Sequence, residues 1–117
     1  MKFTVSKRFS FEAAHSLPFL PAGHKCRNVH GHSYVVEIHC SGPLDARGFV
    51  VDYAEISAAM RPLLDRFDHQ NLNEILTVPT TAENIGRVIF EELAVVLPSL
   101  CRVDVRETAR CCARIER

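Results

Sequence analysis

The chain has 117 residues, and its 14 lysines and arginines balance 14 aspartates and glutamates, so the formal net charge is zero. This charge argues against a general nucleic-acid-binding protein, which would carry a basic excess. No stretch approaches the roughly 20 apolar residues of a membrane-spanning helix, and the N-terminus alternates polar and apolar residues where a signal peptide would be continuously apolar. Five cysteines without a CxxC pair favour free thiols in a reducing, cytoplasmic compartment. We expect one domain, 1–117, that forms oligomers because a domain this small is marginal alone.

Two strands are predicted in the first 40 residues. Residues 2–13 alternate in polarity, which is typical of a half-buried strand; the residues on its apolar face are Phe3, Val5, Phe9, Phe11 and Ala13. Residues 16–29 contain two prolines and a glycine, so they are predicted to be a loop. Residues 32–40 alternate again, with Tyr34, Val36, Ile38 and Cys40 on one face. The following "SGPLDARG" is predicted to be a turn.

A helix is predicted from about Tyr53 to Phe67, where the apolar residues change to a helical spacing. Pro62 lies inside this segment and should kink the helix or mark an internal break. The next segment, "HQNLNEILTVP", is predicted to be a connection.

A second amphipathic helix follows. Thr80 and Glu83 form a possible capping box at its start, and Pro98 should end it. Its apolar face consists of Ile85, Val88, Ile89, Leu93, Val96 and Leu97. "CRVDVRE" and "CARIE" are predicted to be two short strands. The order ββααββ predicts an α+β fold in which two helices pack on one face of an antiparallel sheet.

Three histidines are predicted to converge on the apolar face of this sheet. His15 has the parity of Phe11 on the first strand, while His30 and His32 have the parity of Tyr34 on the second. Alternate residues of a strand share a face, so the three rings meet if the strands are antiparallel neighbours.

Three imidazoles with one open position are the usual ligand set of a catalytic zinc. A closed structural site would need a fourth ligand, and Cys26 is the candidate for it. The three histidines could also be ordinary hydrogen-bonded residues, but their convergence and the HxH spacing favour a metal site.

Other polar residues are weaker candidates. Glu107 has the parity of two valines, and a carboxylate on an apolar face is rare unless it is paired or functional; it could also be a solvated strand end. The adjacent Asp68 and His69 could act as a polarised acid/base pair, although a histidine favoured by the helix dipole is the simpler interpretation. Lys25 and Arg27 flank Cys26 and could favour its thiolate or hold an anionic substrate, or they could be solvated loop residues.

Six motifs occur in a specific order: "FEAAH", "CRNVHGH", "VVDYAEI", "LDRFDHQNLN", "PTTAENI" and "VRET". In this order they resemble the 6-pyruvoyl-tetrahydropterin synthase superfamily, from about Phe9 to Thr108. The three-residue gap between Cys26 and His30 resembles the 6-carboxy-tetrahydropterin synthase branch, which serves queuosine (7-deazaguanine) biosynthesis. The tail "ETARCCARIER" carries no family role that can be assigned.

The resemblance implies a T-fold, whose subunits trimerise around a β-barrel and stack as hexamers. It implies a zinc lyase that converts 7,8-dihydroneopterin triphosphate to 6-carboxy-5,6,7,8-tetrahydropterin, acetaldehyde and triphosphate. The alternatives are a pyruvoyl-forming enzyme of the same fold and a non-catalytic zinc- or pterin-binding module.

The resemblance also implies a role for each matching residue. The zinc ligands would be His15, His30 and His32. Cys26 would abstract a proton, Asp68 and His69 would complete the acid/base set, and Glu107 would anchor the pterin. Triphosphate contacts by Lys25 and Arg27 are a further expectation from their charge.

Overall fold

Five strands and two helices make up the protein, as described by a computed structural model of residues 1–117. In chain order they are β1 (Phe3–His15), β2 (His30–Gly42), α1 (Tyr53–Phe67), β3 (Gln70–Asn71), α2 (Ala82–Val96), β4 (Leu100–Thr108) and β5 (Cys111–Glu116). Short 3₁₀ turns lie at Lys25–Arg27 and Leu72–Glu74. Neither helix is long and apolar enough to cross a membrane.

The strands form one open sheet in the order β3-β1-β2-β4-β5. The two long strands β1 and β2 pair antiparallel along their whole length, from Phe3 opposite Gly42 to His15 opposite His30. The two C-terminal strands extend the sheet antiparallel. The predicted α+β arrangement is confirmed, with one correction: β3 pairs parallel with β1, so the sheet is mixed.

One face of the sheet and the inner faces of both helices enclose a core of 19 buried apolar residues. Each large aliphatic or aromatic side chain in it contributes about 1.5–3 kcal/mol relative to exposure. Gly86 in α2 allows the helix to lie close to the sheet, because a Cβ there would collide with the side chain of Ile115.

The helix α1 spans Tyr53–Phe67 as predicted, but two other features of the helices differ from the sequence-based expectations. Of the kink or internal break expected at Pro62, the break is wrong, because α1 continues through Pro62 to Phe67. Met60 and Leu63, on either side of the proline, are both buried and pack the helix against the core. The expected capping box is also wrong. The N-cap of α2 is Thr81, whose hydroxyl accepts the N–H of Asn84.

The sheet face without helices carries an ion-pair network around Asp104, which is only 3% exposed. Both of its carboxylate oxygens accept hydrogen bonds from Arg102 and Arg114. Burial alone would raise the pKa of Asp104, but these hydrogen bonds and charges outweigh it and lower the pKa to about 2. A depressed carboxyl pKa means that the network stabilises the fold most above the ordinary aspartate pKa, near pH 4.

We therefore expect Asp104→Ala to lower the free energy of unfolding by about 3 kcal/mol at pH 7, because it leaves two guanidinium groups without their shared partner. The difference from the parent protein should shrink as the pH falls below about 4 and through about 2, because the Asp104 carboxylate then becomes protonated in the folded parent too. Urea unfolding over this pH range is the measurement. Asp45→Ala is the matched control, because Asp45 also pairs with an arginine but in an exposed loop; equal losses in the two variants would contradict the prediction.

Candidate active site

The three histidines predicted to meet do so at the end of the β1–β2 ladder. This ladder places His15 opposite His30 and Ala13 opposite His32. The ring centroids lie 4.5 to 5.1 Å apart, and one nitrogen of each ring lies within 4.8 Å of the other two. His15 is buried and the other two are half-buried, so the group is partly open to solvent.

Hydrogen bonds fix the orientation of two of these rings. The Nδ1 of His15 lies 2.7 Å from the Thr80 carbonyl oxygen, and the Nδ1 of His30 lies 2.8 Å from the Asn28 carbonyl oxygen. A carbonyl can only accept, so each Nδ1 carries the proton. Each neutral ring then presents the lone pair of its Nε2, as metal-binding histidines usually do.

The remaining nitrogens fit a metal ion. The Nε2 atoms of His15 and His32 are buried without a hydrogen-bond partner, and the carboxylate oxygens of Glu107 lie 3.9 Å from each, beyond hydrogen-bond range. Burial lowers the pKa of His32, an effect only partly opposed by the charge of Glu107, and this favours the neutral ring that a metal needs. Three imidazoles with an open position fit zinc better than calcium or magnesium, which prefer oxygen ligands.

Glu107 lies on the same face of β4 as the buried Val103 and Val105, as its strand parity predicts, and next to an irregularity in the β4–β5 ladder. Val105 lies opposite Ala113, but Thr108 lies opposite Cys111, so β4 contains one residue more than β5 over this stretch. Glu107 is about a quarter exposed and faces the cavity beside the histidines.

The buried hydroxyl of Tyr34 adds a third unpartnered polar atom next to the histidines. Burial, reinforced by the charge of Glu107, raises the pKa of Tyr34. Strand parity places Tyr34 on the apolar face of β2, but it does not predict the position of the hydroxyl at the end of the side chain.

Cys26 lines the same cavity, which has a volume of about 340 Å³. It lies in the 3₁₀ turn Lys25–Arg27, where its own N–H donates to the His24 ring and its carbonyl accepts the N–H of Leu17. Its sulfur is not among the donors that lie within 4.8 Å of one another. This geometry gives three ligands and a separate thiol, and it does not support a closed four-ligand site.

The two basic neighbours of Cys26 occupy different positions. Lys25 lines the cavity with the histidines. Arg27 donates to the Leu20 carbonyl at 2.6 Å and does not line the cavity. The lysine is therefore the better placed of the two for an anionic substrate.

A second cavity, of about 380 Å³, adjoins the first, and both are bordered by Leu17 and Glu107. Its other walls come from the start of α2, including Thr81, and from the start of β5, including Cys111 and Cys112. The sequence did not indicate this cavity, because the residues that form it are far apart in the chain.

Asp68 and His69 lie outside both of these cavities. The helix α1 ends at Phe67, so the two side chains are free to face each other, and the Nδ1 of His69 lies 3.0 Å from Asp68. The N–H of Glu12 donates to the same carboxylate, and this bond, followed by the contact with His69, lowers the pKa of Asp68. The side chain of His69 is 77% exposed, and its backbone has a positive φ of 60°. It borders a third, open cavity that His32 also lines.

The family follows from a direct comparison. A family model described as 6-pyruvoyl tetrahydropterin synthase matches residues 4–117. The chain belongs to this family.

Relatives and a solved structure agree. A protein of Synechocystis named 6-carboxy-5,6,7,8-tetrahydropterin synthase is 37% identical, covering 94% of this chain and 90% of its own. A 41% identical protein of Archaeoglobus fulgidus bears the same name provisionally, with 92% and 90% covered. The structure of 6-pyruvoyl tetrahydropterin synthase from Caenorhabditis elegans superposes with a TM-score of 0.90 at 30% identity, covering 100% and 96%. The predicted T-fold and the expectation of an enzyme are thereby confirmed.

This member of the 6-pyruvoyl tetrahydropterin synthase family has a second group of close metal-ligating atoms, in Glu37, His39 and Asp104. Both Asp104 oxygens already accept from two arginines, and Glu37 pairs with Arg8. The three guanidinium charges oppose a cation there. The histidine group is therefore the better metal site.

Proposed function

We propose that this member of the tetrahydropterin synthase family is a zinc-dependent lyase of queuosine biosynthesis in the cytoplasm. It would convert 7,8-dihydroneopterin triphosphate to 6-carboxy-5,6,7,8-tetrahydropterin, acetaldehyde and triphosphate. The observation that carries the proposal is the pair of buried, unpartnered histidine nitrogens in a cavity that also contains a thiol and a carboxylate. Five free cysteines are compatible with a reducing compartment.

The zinc ligands in this proposal are His15, His30 and His32. Their Nε2 atoms face one another, and two of the rings are held by carbonyl groups on the opposite nitrogen. When bound, zinc supplies Lewis acidity that acidifies the hydroxyl groups of the substrate side chain. The metal then needs no fourth protein ligand, which leaves the cavity open to substrate.

Cys26 is proposed as the base that removes a proton from the substrate side chain. Its place in the wall of the cavity, apart from the three nitrogens, supports this role. Lys25 and Arg27 are proposed to contact the triphosphate. The support is stronger for Lys25, which lines the cavity, than for Arg27, which would first have to release the Leu20 carbonyl.

Glu107 is proposed to anchor the pterin ring. It stands between the histidine cavity and the adjoining one, so a ring in the second cavity could place its side chain at the histidines. A carboxylate that accepts from a ring N–H and the adjacent amino group also discriminates against molecules without that donor pair. This would explain a carboxylate with no hydrogen-bond partner in its own chain.

The acid/base pair Asp68–His69 is proposed to serve the site of a neighbouring subunit. Within one chain the pair lies outside the cavity that holds Cys26, and the His69 ring is exposed. The sheet is open at both edges, which supports the expected trimer or hexamer around a closed β-barrel. In such an assembly an exposed His69 of one copy can reach a cavity of the next.

The carboxy product is favoured over the pyruvoyl product by the short Cys26–His30 spacing, although the relatives and the solved structure carry names of both kinds. The test is mass spectrometry of the products after zinc-loaded protein is incubated with 7,8-dihydroneopterin triphosphate. We expect 6-carboxy-5,6,7,8-tetrahydropterin and acetaldehyde. A pyruvoyl-tetrahydropterin would move the chain to the alternative activity, and no turnover with zinc bound would favour a binding module.

A further inference from the structure

The segment that follows α1 runs along the end of β1. The N–H of His69 donates to the Glu12 carbonyl at 2.6 Å. Gln70 and Asn71 then pair parallel with Ala13 and Ala14. One step further, the chain turns through Leu72–Glu74, and Asn73 arrives beside Ser16, directly after the candidate metal ligand His15.

The side chain of Asn73 holds both main-chain groups of Ser16. Its Oδ1 accepts the N–H of Ser16 at 2.9 Å, and its Nδ2 donates to the carbonyl of Ser16 at 2.9 Å. A side-chain amide thereby continues the β-ladder where β3 has ended. The main chain next to His15 cannot move along the strand without breaking two hydrogen bonds.

Asn73 also contacts the loop that orients the His15 ring. The Thr80 hydroxyl lies 3.0 Å from the Asn73 Oδ1 and 3.2 Å from the Ser16 carbonyl, so it can donate to either. The carbonyl of the same Thr80 accepts the Nδ1–H of His15 at 2.7 Å. Thr80 is 1% exposed, so this link is shielded from water.

We propose that Asn73 is a positioning residue for the metal ligand His15. Asn73 holds the backbone of Ser16, directly after His15, and it contacts Thr80, whose carbonyl accepts the Nδ1–H of His15. Both contacts keep the Nε2 of His15 directed towards the other two histidines. The inference rests on the proposed metal site. It assigns a role to Asn73, the last residue of "HQNLN", a segment that the sequence analysis describes only as a connection. Groups that orient a metal ligand from behind typically change metal affinity by about 10- to 100-fold.

The test measures zinc affinity of the full chain by competition with a chromophoric chelator. Asn73→Ala is expected to bind zinc about tenfold more weakly. Asn73 is itself exposed, so its truncation leaves no buried cavity. The matched control is Ser41→Ala, which removes a hydrogen bond to the other end of β1, at the Phe3 carbonyl, and should bind zinc as the parent does.

The visible spectrum of the cobalt-substituted protein separates positioning from general destabilisation. The bands of Asn73→Ala should change in position or intensity, because the geometry of the ligand field depends on the His15 ring, whereas mere destabilisation would keep the parent spectrum. Thr80→Ser should retain the parent affinity and Thr80→Val should resemble Asn73→Ala; this pair decides the question if Asn73→Ala does not fold.

The positioning role would be overturned if Asn73→Ala had the zinc affinity and the cobalt spectrum of the parent. If Asn73→Ala does not fold, the same result in Thr80→Val would overturn it. Either result would leave the proposed metal site intact. Failure of the parent protein itself to bind one zinc per chain would instead overturn the proposed metal site, and the inference with it. The two failures are distinguished by the parent measurement alone.

Discussion

Cys26→Ala protein is expected to keep one zinc per chain and to lose turnover by about 10²- to 10⁴-fold, the usual contribution of a general base. The metal should stay because the sulfur is not among the three donors within 4.8 Å. Turnover should fall because no other thiol lines the histidine cavity. Elemental analysis of the purified variant and product formation under saturating substrate are the two measurements.

Cys101→Ala is the control for this prediction. Cys101 is a partly exposed thiol whose sulfur donates to the His39 carbonyl, away from the cavity, so its removal should leave both zinc content and turnover unchanged. If Cys26→Ala loses its zinc, the cysteine is a fourth ligand and the site is structural. If Cys26→Ala keeps both zinc and activity, the base must be another residue.

The second large effect concerns His69. His69→Ala and Cys26→Ala are each expected to be inactive, yet a mixture of the two, refolded together, should recover activity. If each site takes Cys26 from one chain and His69 from its neighbour, random mixing of equal amounts restores about one quarter of the sites. The measurement is product formation before and after the two variants are unfolded and reassembled together.

A chain carrying both substitutions provides the control. Mixed with either single variant, it should restore nothing, because no site can then combine an intact Cys26 with an intact His69. Zero recovery in the mixture of single variants would show that both residues act within one chain. That outcome would contradict the intersubunit arrangement and leave the zinc site untouched.

The regular part of the fold could be predicted because its apolar pattern is unambiguous. Alternation along β1 and β2 and helical spacing in α1 and α2 each bury one face, and strand parity correctly placed His15, His30 and His32 on the apolar side. The observed strands extend beyond the predicted ones, since Ala14 and Gly31 also pair. Neither residue continues the alternation of polar and apolar side chains on which the prediction depends.

The features that could not be predicted depend on contacts between distant segments. A two-residue strand such as β3 has no periodicity of its own and exists because Ala13 and Ala14 offer an edge. Thr80 has the residue type of a helix cap, but its hydroxyl donates to the Oδ1 of Asn73, and Thr81 is the N-cap of α2. His69 lies outside the cavity of Cys26 because of the path that the chain takes after α1. That path cannot be read from the types of residue in the segment.

The backbone of His69 has a consequence for how the protein can evolve. A non-glycine residue at a φ of 60° costs about 1–2 kcal/mol relative to the right-handed region. Selection for thermal stability alone would replace this histidine with glycine, which adopts that conformation without strain. A protein that retains histidine here has a lower free energy of unfolding than its glycine variant would have, but it keeps the imidazole for catalysis. Selection for stability and selection for activity therefore favour different residues at position 69.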